Sequence, residues 1–291
     1  SDLHLDQLRT LLAVVDEGTF EAAADALHVT PSAISQRIKA LEQAVGNVVV
    51  RRSVPVTPTD AGAVLLRMAR QVGFLEAETR AELGLDAAGS ALPVAVNADS
   101  LATWFRPLLA AAASWPDATL HLHVDDQERS AALLRRGDVV GAVTAEPTPV
   151  NGCRAEPLGA MRYVPLAAPA LLERHAVGGD PGRPDWAALP VLRFNEVDDL
   201  QVAYLRERGV RTTPPTSRIP STEGFFDGVK AGLGWGLIPE LQLAGEVERG
   251  DLVRLEGEAT EVRLYWQSWR LSSTRLDRLT DAVRAAASGL S

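Results

Sequence analysis

Apolar residues recur at helical spacing from the start of the chain, at Leu5, Leu8, Leu12 and Val15, and Glu17-Gly18 closes that run. Thr19 offers an N-cap to a short second helix whose inner face is Phe20, Ala23, Ala24 and Leu27, and His28-Val29 makes a turn. Thr30 caps a third helix, with Pro31 at the first helical position, where its missing N–H costs nothing. Ile34, Ile38, Leu41 and Val45 form the inner stripe, and Gly46 supplies a left-handed C-terminal cap. Residues 47–52 then read as a strand and 54–56 as its return, a wing beside the third helix. Thr59 opens a long helix with Asp60 in its first turn. Along it Ala61, Leu65, Met68, Val72, Leu75, Thr79 and Glu82/Leu83 step by four and three residues. Such a seam predicts a partner helix, most simply from a second copy of the chain; the alternative is a helix lying on its own C-terminal domain. Residues 86–90 read as a hinge.

Beyond the hinge, strands alternate with helices: strands at 92–97, 120–124 and 139–144, with helices at 101–113 and 129–136 between them. A second series follows, with strands at 191–194, 217–219 and 236–238 and helices at 200–208 and 225–231. The stretches 154–166 and 262–269 lie between and after the two series, and each could cross from one sheet to the other. Two mostly parallel α/β units joined by two crossovers make a bilobed module whose cleft lies at the C-terminal ends of the strands. The expected organisation is a winged helix-turn-helix over 1–58, a dimerising linker helix and hinge over 59–88, and an α/β module over 89–291. Within that module, lobe I is expected to take 91–164 and 270–291, and lobe II 165–269.

Composition changes this picture in one respect. The chain of 291 residues carries 29 basic and 38 acidic side chains, net −9, which taken whole argues against a nucleic-acid ligand. By segment the sign reverses: residues 1–30 hold one base against six acids, whereas 31–52 hold four bases against one acid. The outward face of the third helix offers Ser32, Ala33, Ser35, Gln36 and Lys39. Its hydroxyls and amide suit base edges in a major groove, and Arg37 and Lys39 suit phosphates. Arg51 and Arg52 of the wing would follow the backbone or enter the minor groove. Pro31, Ser32, Ser35, Gln36, Arg37, Lys39, Arg51 and Arg52 are therefore the candidate DNA contacts. A single cysteine, Cys153, excludes a disulfide framework and fits a reducing, cytoplasmic location. No apolar stretch is long enough to span a membrane, and no export leader is apparent.

The segment Phe20-Glu21-Ala22-Ala23-Ala24-Asp25-Ala26-Leu27-His28-Val29-Thr30-Pro31-Ser32-Ala33-Ile34-Ser35-Gln36-Arg37-Ile38-Lys39-Ala40-Leu41-Glu42, followed by Thr59-Asp60-Ala61-Gly62, resembles the LysR-type transcriptional regulators. The resemblance covers essentially the whole chain. It implies a winged helix-turn-helix and linker helix followed by a periplasmic-binding-protein-like effector domain of two subdomains, assembled as a homodimer or homotetramer on a two-fold DNA site. Three positions depart from the family pattern: Val50 stands where an aromatic is usual, the wing at 53–57 is poor in arginine, and Gln36 stands where arginine is common. Residues 30–38, Asn97-Ala98-Asp99-Ser100, Asp125-Asp126-Gln127, Gly141-Ala142-Val143-Thr144 and Ser221-Thr222-Glu223-Gly224 resemble the LysG/ArgP-like branch. That narrower resemblance implies a regulator that senses lysine or arginine and controls an amino-acid exporter gene.

The cleft chemistry points the same way. Ser100 and Ser221 each follow a strand and open a helix, a placement suited to a carboxylate. Asp99, Asp125, Asp126, Glu146, Glu196, Asp198 and Glu223 cluster beyond strand ends, an excess of acid that favours a cationic ligand. Asp126 and Glu223 are the candidates for ammonium groups, with Thr144 and Asn195 as neutral partners beside Ser100 and Ser221, and the resemblance of residues 97–100 adds Asn97 to the effector-site candidates. Other signals reduce to structure. The glycines of Gly232-Leu233-Gly234-Trp235-Gly236 run from helix to strand, the reverse of a dinucleotide fingerprint. His121, His123 and Asp125 lack a fourth metal ligand, and Cys153 lacks a resolving partner. No cofactor is expected. The competing classes are a cleft enzyme, for which no poised nucleophile or acid/base pair is present, and a solute-binding protein, which would carry an export leader.

Overall fold

The computed structural model describes residues 3–85, 90–125, 127–178 and 180–291. Most of the hinge at 86–90 and the candidate Asp126 therefore lie outside the described residues. Three helices, α1 (Leu5–Glu17), α2 (Phe20–Ala26) and α3 (Pro31–Val45), open the chain. Thr19 and Thr30 cap α2 and α3 by accepting from the backbone N–H of Ala22 and Ala33, and Gly18 and Gly46 end α1 and α3 in the left-handed conformation. Ala23 and Ala24 are buried where α2 meets α3, and Ile34, Ile38 and Leu41 point into the same core. The inner face of α1 differs from the expected stripe. Leu8, Leu11 and Val14 are buried, whereas Leu5 is exposed and Leu12 and Val15 are half-buried, because α1 packs against the long linker helix as well as α3.

The wing is shorter and later than its sequence suggests. Strand β1 (Val50–Arg51) pairs with β2 (Thr57–Pro58), so the return strand begins after 54–56 rather than within it. Val54 and Pro55 form the tip, with Val54 88% exposed, while Val56 turns inward and its N–H donates to the Gly18 carbonyl at 2.7 Å. The linker helix α4 (Asp60–Glu82) is capped by Thr59, whose hydroxyl also donates to the Val48 carbonyl. A Cβ on Gly62 would stand 1.9 Å from the Val49 carbonyl oxygen, so only glycine lets the helix approach the wing this closely.

The C-terminal α/β domain runs β3 (Ser90–Val96), α5 (Ala98–Ala102), α6 (Arg106–Ala112), β4 (Ala118–Val124), α7 (Gln127–Arg136) and β5 (Gly141–Thr144). Then come the long strand β6 (Cys153–Ala167), α8 (Pro169–Arg174), β7 (Ala176–Val177), β8 (Asp180–Pro184), β9 (Val191–Arg193) and α9 (Leu200–Glu207). The order closes with β10 (Thr216–Arg218), α10 (Thr222–Lys230), β11 (Gly236–Pro239), β12 (Val253–Arg254), β13 (Thr260–Trp269) and α11 (Thr274–Ala286). The two crossover stretches are β6 and β13, which pair with each other antiparallel and join both lobes into one sheet, β11-β6-β13-β5-β3-β4. Strands β3, β4 and β5 are parallel to one another in lobe I, and β9 and β10 are parallel in lobe II. The single helix expected at 101–113 is two helices, α5 and α6, separated by a turn at Thr103.

The apolar positions on α4 divide between two neighbours and an exposed face. Leu65, Leu66 and Ala69 belong to the helix-turn-helix core, so Leu65 is not part of a free seam. Phe74 and Glu78 are buried against the C-terminal α/β domain. Val64, Met68, Leu75 and Leu83 remain exposed along one stripe. Packing on its own domain thus holds at Phe74 and Glu78, and the exposed stripe is the face left to the expected partner helix.

Candidate functional site

Two surfaces present chemistry to the outside. On α3, Ser32, Gln36 and Lys39 are exposed and Ser35 and Arg37 half-buried, with no side-chain hydrogen bond recorded for these five among the described residues. Pro31 starts the helix and is itself exposed. The wing arginines are more constrained. Arg51 Nη1 donates to the Pro58 carbonyl at 3.1 Å, and the Arg52 guanidinium lies 5.2 Å from the centre of the Phe20 ring, although both side chains are exposed. Caps at both ends of α3 fix which of its residues face outward, so this surface follows directly from the register of one helix.

The second surface is a cleft of about 480 Å³ between the lobes. Lobe I contributes Asn97 and Asp99 at the start of α5, and Asp125 and Arg129 after β4. Lobe II contributes Asn195 and Asp198 after β9, Thr222 at the start of α10, and Gln242; Tyr163, Val262 and Leu264 rise from the two crossing strands. At the floor the Asp99 carboxylate accepts from Tyr163 Oη at 3.0 Å and from Thr222 Oγ1 at 2.8 Å, so one acid ties lobe I to the crossing strand and to lobe II. Burial raises the Asp99 carboxyl above its ordinary range; the two hydroxyl donors oppose that shift and the nearby Asp198 adds to it. Burial likewise holds the Tyr163 hydroxyl well above the usual tyrosine range, assisted by the charge of Asp99.

Much of the remaining polarity is committed to the loop after β9. Asp198 accepts from the backbone N–H of Phe194 and Leu200, and Gln201, with its amide nitrogen turned toward it, donates at 3.0 Å. Asn195 Oδ1 accepts from the N–H of Val197 and Asp198. Arg129 reaches Asp125 at 3.3 Å across the cleft wall. Two acceptors stay unspent: Asn97 Oδ1 and Gln242 Oε1 are buried without a hydrogen-bond partner among the described residues. Unsatisfied buried acceptors, with several carboxylates around them, make a site complementary to a ligand rich in N–H donors and positive charge.

Of the sequence candidates for this cleft, Asn97 and Asn195 line it. Ser100, Thr144, Ser221 and Glu223 do not. Helix α5 begins at Ala98 rather than at Leu101, and that register buries Ser100 with its hydroxyl 3.5 Å from Met161 Sδ. Thr144 is buried, bonded to Gln267 and the Glu146 carbonyl. Ser221 caps α10 by accepting from Gly224 N–H, which leaves the next residue, Thr222, facing the cleft and Glu223 exposed outside it. Asp99 and Asp198 were visible in the sequence as acids beyond strand ends. Thr222 follows once Ser221 is fixed as the cap. Tyr163 and Gln242 carry no local signature. The His121, His123 and Asp125 face forms no metal-binding group among the described residues. Cys153 is buried, and burial pushes its thiol up to about 11 against the opposing charges of Arg67 and Arg270.

A winged helix-turn-helix carrying free donors on its third helix, joined to a two-lobed domain with a polar cleft, defines a ligand-responsive DNA-binding protein. Residues 5–63 match the family model described as bacterial regulatory helix-turn-helix protein, lysR family, and residues 88–288 match that of the LysR substrate binding domain. The chain belongs to the LysR family of transcriptional regulators. It is 50% identical over 287 residues, 98% of this chain and 97% of the relative, to the lysine export transcriptional regulatory protein LysG of Corynebacterium efficiens. Among solved structures it is similar to full-length LysG of Corynebacterium glutamicum with bound effector Arg, at 47% identity and a TM-score of 0.88. It is also similar to ArgP of Mycobacterium tuberculosis, at 46% identity and a TM-score of 0.91. Each of these two comparisons covers 99% of both chains.

Proposed function

We propose that the chain is a cytoplasmic, homo-oligomeric regulator that binds lysine or arginine in the interlobe cleft and controls transcription of an amino-acid exporter gene. The observation that carries the ligand class is the pair of unspent buried acceptors, Asn97 Oδ1 and Gln242 Oε1, in a cleft also lined by Asp99, Asp125 and Asp198. A cationic side chain or α-ammonium satisfies those acceptors and offsets the carboxylates, whereas an acidic ligand adds to their repulsion. Arg129 and the Asn195 amide nitrogen are the groups suited to the ligand's own carboxylate. The names of LysG relatives and the arginine bound in one of them support this ligand class and the exporter target.

On the DNA side, Ser32, Ser35 and Gln36 read base edges, while Arg37, Lys39, Arg51 and Arg52 neutralise phosphates. With so few basic residues per chain, useful affinity requires two copies, and the exposed stripe Val64, Met68, Leu75 and Leu83 is the face a second linker helix would cover. A thermal-shift panel of the amino acids tests the ligand: arginine or lysine should raise the melting temperature and glutamate should not. Stabilisation by glutamate with none by either base would overturn the assignment.

A further inference from the structure

The buried contact between linker helix and effector domain has a composition that simple packing does not require. Glu78 and Arg275 are both buried, and Arg275 Nε stands 3.8 Å from Glu78 Oε1. The same oxygen accepts from Ser273 Oγ at 2.7 Å and from the backbone N–H of Arg275 at 3.2 Å. Because Ser273 is the N-cap of α11, Glu78 acts as a second cap, delivered from another domain to the positive end of that helix. Yet Glu78 Oε2 and all three guanidinium nitrogens of Arg275 have no hydrogen-bond partner among the described residues. Phe74 completes the contact, edge-on to Trp269 at 5.8 Å and beneath the Arg275 guanidinium at 5.0 Å. A buried ion pair with so many unmade hydrogen bonds holds weakly for its size. It suits a junction that opens better than one that only glues.

The junction is also joined to the cleft by one element. Val262 and Leu264 of β13 line the cleft, and Trp269, the last residue of the same strand, packs on Phe74. Strand β13 is held on both sides by β5 and β6, and Trp266 Nε1 donates to Thr280 of α11 at 3.0 Å. A shift of β13 at the cleft therefore bears on both halves of the junction.

We propose that Glu78, Ser273 and Arg275 form a releasable latch between the linker helix and its own effector domain, and that β13 couples the latch to occupancy of the cleft. Glu78 is a positioning residue in this scheme. The coupling, though not the latch itself, rests on the cleft being the arginine or lysine site. The test uses the full-length chain, with arginine titrated calorimetrically and hydrogen exchange followed in segments 70–82 and 272–280. In Glu78→Gln, an isosteric change, both segments should exchange about tenfold faster or more without arginine. Arginine affinity should shift by about fivefold or more, as reciprocal linkage demands. In wild type, arginine should change the exchange of 272–280. The packed pair Glu78→Leu/Arg275→Met should keep both segments slow with or without arginine. Unaltered arginine affinity in both variants, with exchange of 272–280 indifferent to arginine in wild type, overturns the coupling. If arginine does not bind wild type, the effector reading fails, and the latch is decided by exchange in Glu78→Gln alone: wild-type rates there overturn it.

Discussion

On α3, Ser32, Gln36 and Lys39 stand exposed with no partner recorded among the described residues, whereas in the cleft Asp99 and Asp198 already hold hydrogen bonds from three structural elements and a loop backbone. The first surface leaves its donors for a large partner that brings its own geometry. The second is held together by its own hydrogen bonds, with acceptors at Asn97 and Gln242 left over. An open surface is legible from the register of one helix. A cleft built from several elements has no single register to read, and its residues are scattered from Asn97 to Leu264.

The largest expected effect lies in the cleft. Asp99→Asn should weaken arginine binding by about 1.5–3 kcal/mol, the worth of a hydrogen bond to a charged group, as read by calorimetry. The same change should leave the ligand-free melting temperature equal or higher, since it removes a charge that burial disfavours. A fall in both would mean that Asp99 is structural only. On the DNA surface, Gln36→Ala should relax preference at one base position by about 1–3 kcal/mol, measured by selection from a random duplex library. If affinity falls equally for all sequences, α3 does not read bases.

Next comes the pH dependence, for which the sign follows from the raised Asp99 carboxyl. The folded protein binds that proton more tightly than the unfolded chain does, so this group's contribution to stability is present below the ordinary aspartate range and is lost as pH rises through the raised value. Arginine affinity should run the opposite way, weakening as pH falls through the same interval, because the cation selects the ionised form. An affinity flat across that interval would detach Asp99 from the ligand. The smallest effect is Arg52→Ala, which should weaken all DNA alike and reduce the salt slope by about 1. An unchanged slope would mean that stacking on Phe20 is the whole role of Arg52.

The helix-turn-helix was readable because caps, a proline at the first helical position and an apolar stripe all agree at Thr30, Pro31 and Ile34. In the C-terminal domain the alternation of the main strands and helices and the two crossing stretches were readable, whereas α8, β7, β8, β12 and the closing helix α11 were not. The cleft was less readable, since a shift of three residues in the start of α5 exchanges Ser100 for Asp99 as the cleft-facing group. Glu78 and Arg275 lie 197 positions apart, and no local pattern in either helix announces the other. On α4 the stepping of apolar residues was real, but Leu65 is buried in the helix-turn-helix core while Leu75 is exposed, which periodicity alone does not separate.

Helix α4 has 23 residues, which at ~1.5 Å per residue gives a rod about 35 Å long. One end is fused to the wing through Thr59 and Gly62, and the other is gripped at Phe74 and Glu78. Such a rod works as a lever. A tilt of about 7° about Glu78, roughly 27 Å from Asp60, swings the far end through about 3 Å, close to the ~3.4 Å rise of one base pair. A rearrangement too small to disturb any fold could therefore move a reading head by a full letter.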